Sequence, residues 1–293
     1  MTIDQRPGNG MKKISLVILT YNSFRFIAEC LKSIRAQGEE NCEIIVVDNG
    51  SKDATLSFIK EKYPEITLVD NRENAGAARG RNQGIEIARG EWILTLDCDV
   101  ILGEGFLSSL AQEAGNVTAD TGAVQPKIMN MDRKTVYSCG IRLSWLKRFH
   151  DIGRNMPDAG RFDAPRDIFG ACSAAALYRK EMLLDIRDQN GFFDERFFFL
   201  AEDVDLACRA RMKGWKAVFS PSAVCYHHGN SSVSSKAFRQ YLCWRNRRLM
   251  LEKIKLHKIQ SILIFLAYDL PRLCVIFPGN PYIRKAIFER SAQ

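Results

Sequence analysis

Apolar positions along the chain fall into two patterns that take turns. Continuous runs rich in branched residues occur at Ile14–Thr20 (ISLVILT), Glu43–Asp48 (EIIVVD), Ile66–Asp70 (ITLVD) and Trp92–Leu96 (WILTL). Such runs predict strands buried on both faces. Between them apolar residues recur at helical spacing: Phe26, Ile27, Cys30, Leu31 and Ile34, then the stretches Leu56 to Lys62 and Ala77 to Ala88. Strands alternating with helices predict an α/β fold around a mostly parallel sheet.

The pattern loosens from Val117 to Arg166. There QPKIMNMDRKTVYSCGIRLS predicts a pair of strands, and HDIGRNMPDAGRFDAPRD a flexible polar loop of the kind that closes over substrates. IFGACSAAALYRKEMLLDI returns to a buried strand and helix. A helix begins near Glu202, with Val204, Ala207, Cys208 and Met212 as its apolar side, and stops at Gly214. A short strand then ends in His227 and His228.

The most apolar stretch is Ile259–Phe277, interrupted by Asp269, Pro271 and Arg272. A bilayer-spanning helix needs about 20 mostly apolar residues. With Arg245, Arg247, Arg248, Lys253, Lys255 and Lys258 ahead of it, the stretch predicts a helix lying on an anionic membrane surface rather than one crossing it. The N-terminus MTIDQRPGNGMKK has no apolar core and is not a signal peptide. The expected organisation is a disordered leader over 1–12, a catalytic domain over 13–232 and a helical extension over 233–293.

Charge and cysteine usage narrow the chemistry. The 293 residues carry a net charge of +8, which points to an anionic partner. The basic residues follow no nucleic-acid-binding motif, so the partner is not nucleic acid. The nine cysteines are scattered with no CxxC pair, which fits a reduced cytoplasmic interior better than a disulfide framework or a zinc site.

In parallel α/β sheets, ligands sit beyond the carboxyl ends of the strands. Three predicted strands end there in polar residues: Thr20 with Tyr21 and Asn22, Asp48 with Asn49, and Asp97 with Asp99. Two carboxylates two positions apart on a strand point to the same side. Their repulsion calls for a cation, and a divalent metal with substrate phosphates is the natural one. Gly76, Gly80 and Gly84 let one helix approach the sheet closely, and its start offers Arg79, Arg81 and Asn82. A second acidic cluster, Glu202, Asp203 and Asp205, follows the aromatic run Phe197–Phe199. Acids suit a first helical turn; beside an apolar wall, one of them would have a raised pKa and could serve as a base. Either His227 or His228 could join carboxylates around Mn²⁺ or Mg²⁺.

The ordered set LTYN, VVDNGSKDAT, NAGAARGRNQGI, LTLDCDV, GFFDERFFFLAEDVDLACRARMKGW and CYHHG resembles family 2 glycosyltransferases of the GT-A fold, and within them the bacterial rhamnosyltransferase-like branch. The resemblance covers about Ile14 to Ser232. It implies a mostly parallel sheet with helices on both faces, an inverting single displacement, and a divalent cation, Mn²⁺ or Mg²⁺. It also implies a dTDP- or UDP-sugar donor, with rhamnose the leading sugar, and a glycan or polyprenyl-linked acceptor at the cytoplasmic membrane face. Thr20, Tyr21, Asn22, Asp48, Asn74 and Arg81 would then hold the nucleotide sugar. Asp97 would face ribose, donor sugar and metal, while Asp99 and His227 would bind the metal. Glu202 and Asp203 would be catalytic, Asp203 as general base. Processive synthases of the family carry QxxRW and several membrane helices. This chain has QYLCWRNRR instead, which suggests addition of one sugar or a few. A nucleotidyltransferase would show a glycine-rich phosphate loop near the N-terminus, and LTYNSFRF is not one. A non-catalytic homologue would not need every polar position filled.

Overall fold

A computed structural model describes residues 14–38, 42–229, 235–254 and 256–290. The expected leader and the expected boundary at 232/233 lie outside the described residues, as does Lys255. The N-terminal half alternates as the pattern predicts: β1 (Ile14–Thr20), α1 (Phe24–Arg35), β2 (Glu43–Asp48), α2 (Thr55–Lys62), β3 (Thr67–Asp70), α3 (Ala77–Ile87) and β4 (Trp92–Asp97). Then come β5 (Val100–Leu102), α4 (Phe106–Asn116), β6 (Thr121–Asn130), β7 (Val136–Ser138), β8 (Ile141–Leu143), β9 (Phe149–Asp151), β10 (Arg166–Ile168), β11 (Ala175–Arg179) and α5 (Lys180–Ile186). The chain continues through α6 (Glu202–Met212), β12 (Lys216–His227), α7 (Lys236–Lys253), α8 (Lys258–Ile264), α9 (Leu270–Ile276) and α10 (Pro281–Arg290).

The main sheet runs β10-β12-β6-β11-β4-β1-β2-β3. β1 pairs in parallel with both β2 and β4, while β11 is antiparallel to β4 and β6. From β1 the chain builds outward through β2 and β3, then returns to β1's other side as β4. That reversal is the topological switch point where α/β sheets bind ligands. Side chains alternate through the sheet. Leu16 and Ile18 pack with α1, α2 and α4 on one face, and Val17 packs with α3 and α5 on the other. The close approach of α3 is real: a Cβ on Gly80 would strike Leu19, and one on Gly84 would strike Val17. The helix cost of each glycine, ~1 kcal/mol against alanine, is offset by that fit.

Two expectations need correction. The last strand before the histidines is not short: β12 is 12 residues long and pairs with β10, β6 and β5. Met212 is not on the packed side of α6 but 64% exposed. Asp269, Pro271 and Arg272 interrupt the apolar run but lie within one continuous helical stretch. A π-turn at Phe265–Asp269 joins α8 to α9, and Pro271 falls where the helix restarts with no partner needed for its missing N–H. The resulting stretch, Lys258–Ile276, has mean hydropathy 1.6 and is long and apolar enough to cross a membrane by length and composition. Its outer side is uncovered, with Ile259 63% and Val275 80% exposed.

Candidate active site

One cavity of about 670 Å³ lies at the carboxyl ends of β1 and β4. Thr20, Tyr21, Asn74, Arg81, Asp97, Glu202, Asp203 and His227, all expected from sequence, line it. Asn22, Asp48 and Asp99 do not. The Asp48 carboxylate is taken up by its own turn, accepting from Gly50 N at 3.1 Å, Ser51 N at 2.8 Å and Ser51 Oγ at 2.6 Å. Asn22 Oδ1 accepts from Lys52 N at 2.7 Å, and Asn22 N donates to Ser51 Oγ at 2.8 Å. These two residues stitch the loops after β1 and β2 together and thereby set the rim on which Tyr21 stands, 42% exposed. Asn49 lines the cavity instead, its Nδ2 donating to Gly76 O at 2.9 Å.

Strand pairing assembles the acidic end. β5 lies antiparallel to β12 with Val100 opposite His227, so the residue before β5, Asp99, meets that histidine. His227 Nε2 is 3.0 Å from Asp99 Oδ1, and both side chains are buried. Asp97, Asp99 and His227 present ligand atoms that all lie within 4.8 Å of one another. The set fits a divalent cation by chemistry, two carboxylates and one imidazole. A second sign is the buried His227 Nδ1, which has no hydrogen-bond partner. His228 turns elsewhere, 3.8 Å from Glu29 and packed on Phe26.

Arg81 is not left free for a phosphate. Its buried guanidinium donates to Asp97 Oδ1 and to Glu202 Oε1, both at 2.7 Å. Burial pushes the Asp97 and Glu202 carboxyls up, and the Arg81 cation offsets part of that rise. Asn82 is likewise occupied, its amide exchanging two hydrogen bonds with the Phe193 backbone at 2.8 Å each. Glu202, expected to share the chemistry, is thus a fixed counter-charge. Asp205 pairs with Arg209 at 2.8 Å and Lys253 at 2.7 Å.

Asp203 stands apart. Among the described residues it makes no ion pair; its oxygens accept from Ser173 N at 3.2 Å and Val204 N at 2.8 Å. Burial, reinforced by the Glu202 charge, pushes its carboxyl up to about 7. A base is most useful when its pKa lies near the working pH.

The segment that aims Asp203 is strained. Phe198, Leu200 and Ala201 have φ of 63°, 69° and 65°, a left-handed region that side chains avoid. Carbonyl acceptors on both sides fix it. Asn246 Nδ2, on α7, donates toward Phe197 O (3.0 Å), Phe199 O (2.8 Å) and Leu200 O (2.6 Å). Phe198 O accepts from Ala77 N at 2.5 Å at the start of α3. Phe198 and Phe199 form the cavity wall expected of the aromatic run, whereas Phe197 is fully buried behind it.

The family model "Glycosyl transferase family 2" matches residues 15–187, more than half the chain. The chain belongs to glycosyltransferase family 2. Glycosyltransferase GlyG of Streptococcus pneumoniae is 37% identical over 110 residues, 36% of this chain and 36% of that one. The chain thus spans about a third of that relative's length. N-acetylglucosaminyl-diphospho-decaprenol L-rhamnosyltransferase of Mycobacterium tuberculosis is 28% identical over 237 residues, 73% of this chain and 76% of that one. Among solved structures, the mannosyltransferase PcManGT from Pyrobaculum calidifontis, in complex with GDP-Man and Mn²⁺, superposes with a TM-score of 0.60 at 19% identity, covering 97% of this chain and 80% of that one. The fold is GT-A.

In this family 2 protein, three features, one behind the cavity wall and two lining it, had no counterpart among the site residues read from sequence. Asn246 is one, and its only signal was the polar pair in WRNRR. Asp151 is another, on β9 where a flexible loop was expected; it lines the cavity, and burial raises its carboxyl. The third is the α7–α10 wall of Phe238, Arg239 and Tyr282.

Proposed function

We propose that the protein transfers a sugar from a nucleotide-diphosphate donor to a hydroxyl of a glycan or lipid-linked acceptor, with inversion at the anomeric carbon. The observation that carries this reading is Asp203. It is a cavity carboxylate that makes no ion pair among the described residues and has a pKa near 7, set beside a paired acidic cluster. Asp203 takes the acceptor hydroxyl's proton as that oxygen attacks, and the bond to the donor diphosphate breaks in the same displacement. Thr20, Tyr21, Asn49 and Asn74 line the donor side. Arg81 holds Asp97 and Glu202 in place. A divalent cation, Mn²⁺ or Mg²⁺, held by Asp97, Asp99 and His227 would supply charge to offset the departing diphosphate.

Rhamnose is the leading donor sugar, supported by the likeness to the mycobacterial rhamnosyltransferase over most of the chain. The exposed apolar helix over 258–276, with the basic residues of α7, supports work at the inner face of a bacterial cell membrane. Calorimetric titration with dTDP-rhamnose, UDP-glucose, UDP-galactose and GDP-mannose, with and without Mn²⁺, tests the donor side. Metal-dependent binding of one donor, lost in Asp99→Ala, is the expected result. No donor bound under any metal sinks the reading. Failure to float with anionic vesicles removes the membrane part alone.

A further inference from the structure

A ribbon of aromatic rings leads out of the catalytic cavity along the C-terminal helices. Phe238 and Arg239 in the first turn of α7, and Tyr282 at the start of α10, belong to the cavity wall. Residues 238, 241 and 244 are three apart, so their side chains share one helix face. Asn280 brings α10 against that face. Its Nδ2 donates to Ala237 O at 2.8 Å, and its Oδ1 accepts from Tyr282 N and Ile283 N at 3.1 Å each. Ring centroids then follow one another: Phe238 to Tyr282 at 5.4 Å, Tyr282 to Tyr241 at 6.1 Å, Tyr241 to Trp244 at 6.3 Å. Arg245 lies 5.8 Å from the Tyr241 ring, and the exposed Arg248 lies 5.1 Å from Trp244.

Gluing α10 to α7 accounts for Phe238, Tyr241 and Tyr282. It does not account for Trp244, half-buried with Arg248 beside it, nor for a ribbon that begins inside the cavity. A second feature runs alongside. The helix over 258–276 returns along α7, pinned by Asp269 to Arg247 at 2.5 Å and followed by Asn280 at Ala237. Its outer side presents Ile259, Ile262, Phe265, Leu266 and Val275 to solvent. Rings, arginines and an uncovered apolar ridge therefore share one hairpin at the mouth of the cavity.

We infer that this hairpin is the acceptor subsite and that its ligand is a sugar diphosphate carried on a prenyl chain. The inference rests on the transfer reaction proposed above and adds where and how the acceptor is held. The sugar stacks on the rings at the mouth, using their apolar faces, with a hydroxyl reaching toward Asp203. The diphosphate meets the exposed Arg248, whose planar donors suit phosphate oxygens, while Arg245 is held by the Arg196 and Phe197 carbonyls. The prenyl chain lies along the ridge, where its burial covers apolar surface on both partners.

The test reads binding without turnover, using the full chain and no donor. Farnesyl-diphospho-N-acetylglucosamine is the probe, titrated calorimetrically beside its two halves, farnesyl diphosphate and methyl β-N-acetylglucosaminide. Phe238→Ala should weaken the whole probe roughly tenfold or more. Arg248→Ala changes an exposed side chain and leaves folding intact. It should weaken the probe and farnesyl diphosphate but not the glycoside. Arg248→Ala, outside the cavity wall, should not alter nucleotide-sugar binding. Wild type that ignores the probe, or binds it no better than both variants do, overturns the subsite. A glycoside bound as tightly as the whole probe overturns the lipid-borne ligand. Donor binding is measured separately, so its failure would remove the proposed function while this result stands on its own.

Discussion

The two acidic clusters of the chain are built from the same residue types and end in opposite chemistry. At the end of β4, Asp97 meets Arg81 and Asp99 meets His227. At the start of α6, Glu202 meets the other side of Arg81, and Asp205 meets Arg209 and Lys253. Among the described residues only Asp203, of these five, is left to backbone N–H donors. One guanidinium thus ties the two clusters together and sorts their members. Carboxylates that gain a basic side-chain partner become scaffold or ligand. The one that gains none keeps its proton to about neutral pH and can exchange it. What a carboxylate does here follows from its counter-charge, not from its place in a motif.

The sharpest way to break that comparison is Asp203→Asn, which keeps the shape and removes the base. Turnover should fall by roughly 10²–10⁴, the usual worth of a positioned base, while donor binding stays. Turnover within tenfold of wild type would strip Asp203 of its role. Next in size is Arg81→Leu, which leaves Asp97 and Glu202 buried without their shared cation. Breaking a buried pair in this way costs about 3–5 kcal/mol, read as a lower denaturation midpoint. A loss under about 1 kcal/mol, the range of a surface pair, would mean that the clusters are not coupled through Arg81. Smaller again is Asn246→Ala. It removes the amide facing three carbonyls of the strained segment, at about 1–3 kcal/mol for buried groups left unsatisfied. Because that segment leads into Asp203, kcat should fall with donor KM unchanged; a change confined to KM would refute the positioning role.

The alternation of strand and helix up to β4 was legible because each buried strand is a continuous apolar run and each helix repeats its apolar residues at helical spacing. The DxD and the ED pair were legible because charges at the ends of apolar runs demand a reason. What escaped was pairing across long distances. Arg81 and Glu202 are 121 positions apart, so Arg81 read as a cation available to a ligand. The Asp48 turn escaped for the opposite reason: its hydrogen bonds close within three residues, yet at strand-end positions a carboxylate in a turn and one facing a ligand look alike. Asn246 carried no signal beyond the polar pair in WRNRR, because the strain it holds lies in backbone angles. Met212 was misplaced because apolar character alone does not say which side of a short helix the neighbours cover.

The finest test of the comparison separates the proton on Asp203 from catalysis. Its folded pKa, about 7, lies above the ordinary 3.8. The folded state therefore holds a proton that the unfolded chain has released once the pH passes the lower value. Its stabilising contribution is complete below 3.8 and is lost as the pH rises through about 7. Asparagine stands in for the protonated carboxyl at every pH. Asp203→Asn should thus match wild type in acid and be the more stable of the two at about pH 8.5, with the gap opening as pH rises toward 7. The effect is the smallest of the four, since the side chain opens onto the cavity and solvent screens part of its charge. Denaturation midpoints of both proteins across that range decide it. A gap that stays constant with pH, or that closes as pH rises, would mean Asp203 is already ionised in the folded protein, and the distinction between the two clusters would fall with it.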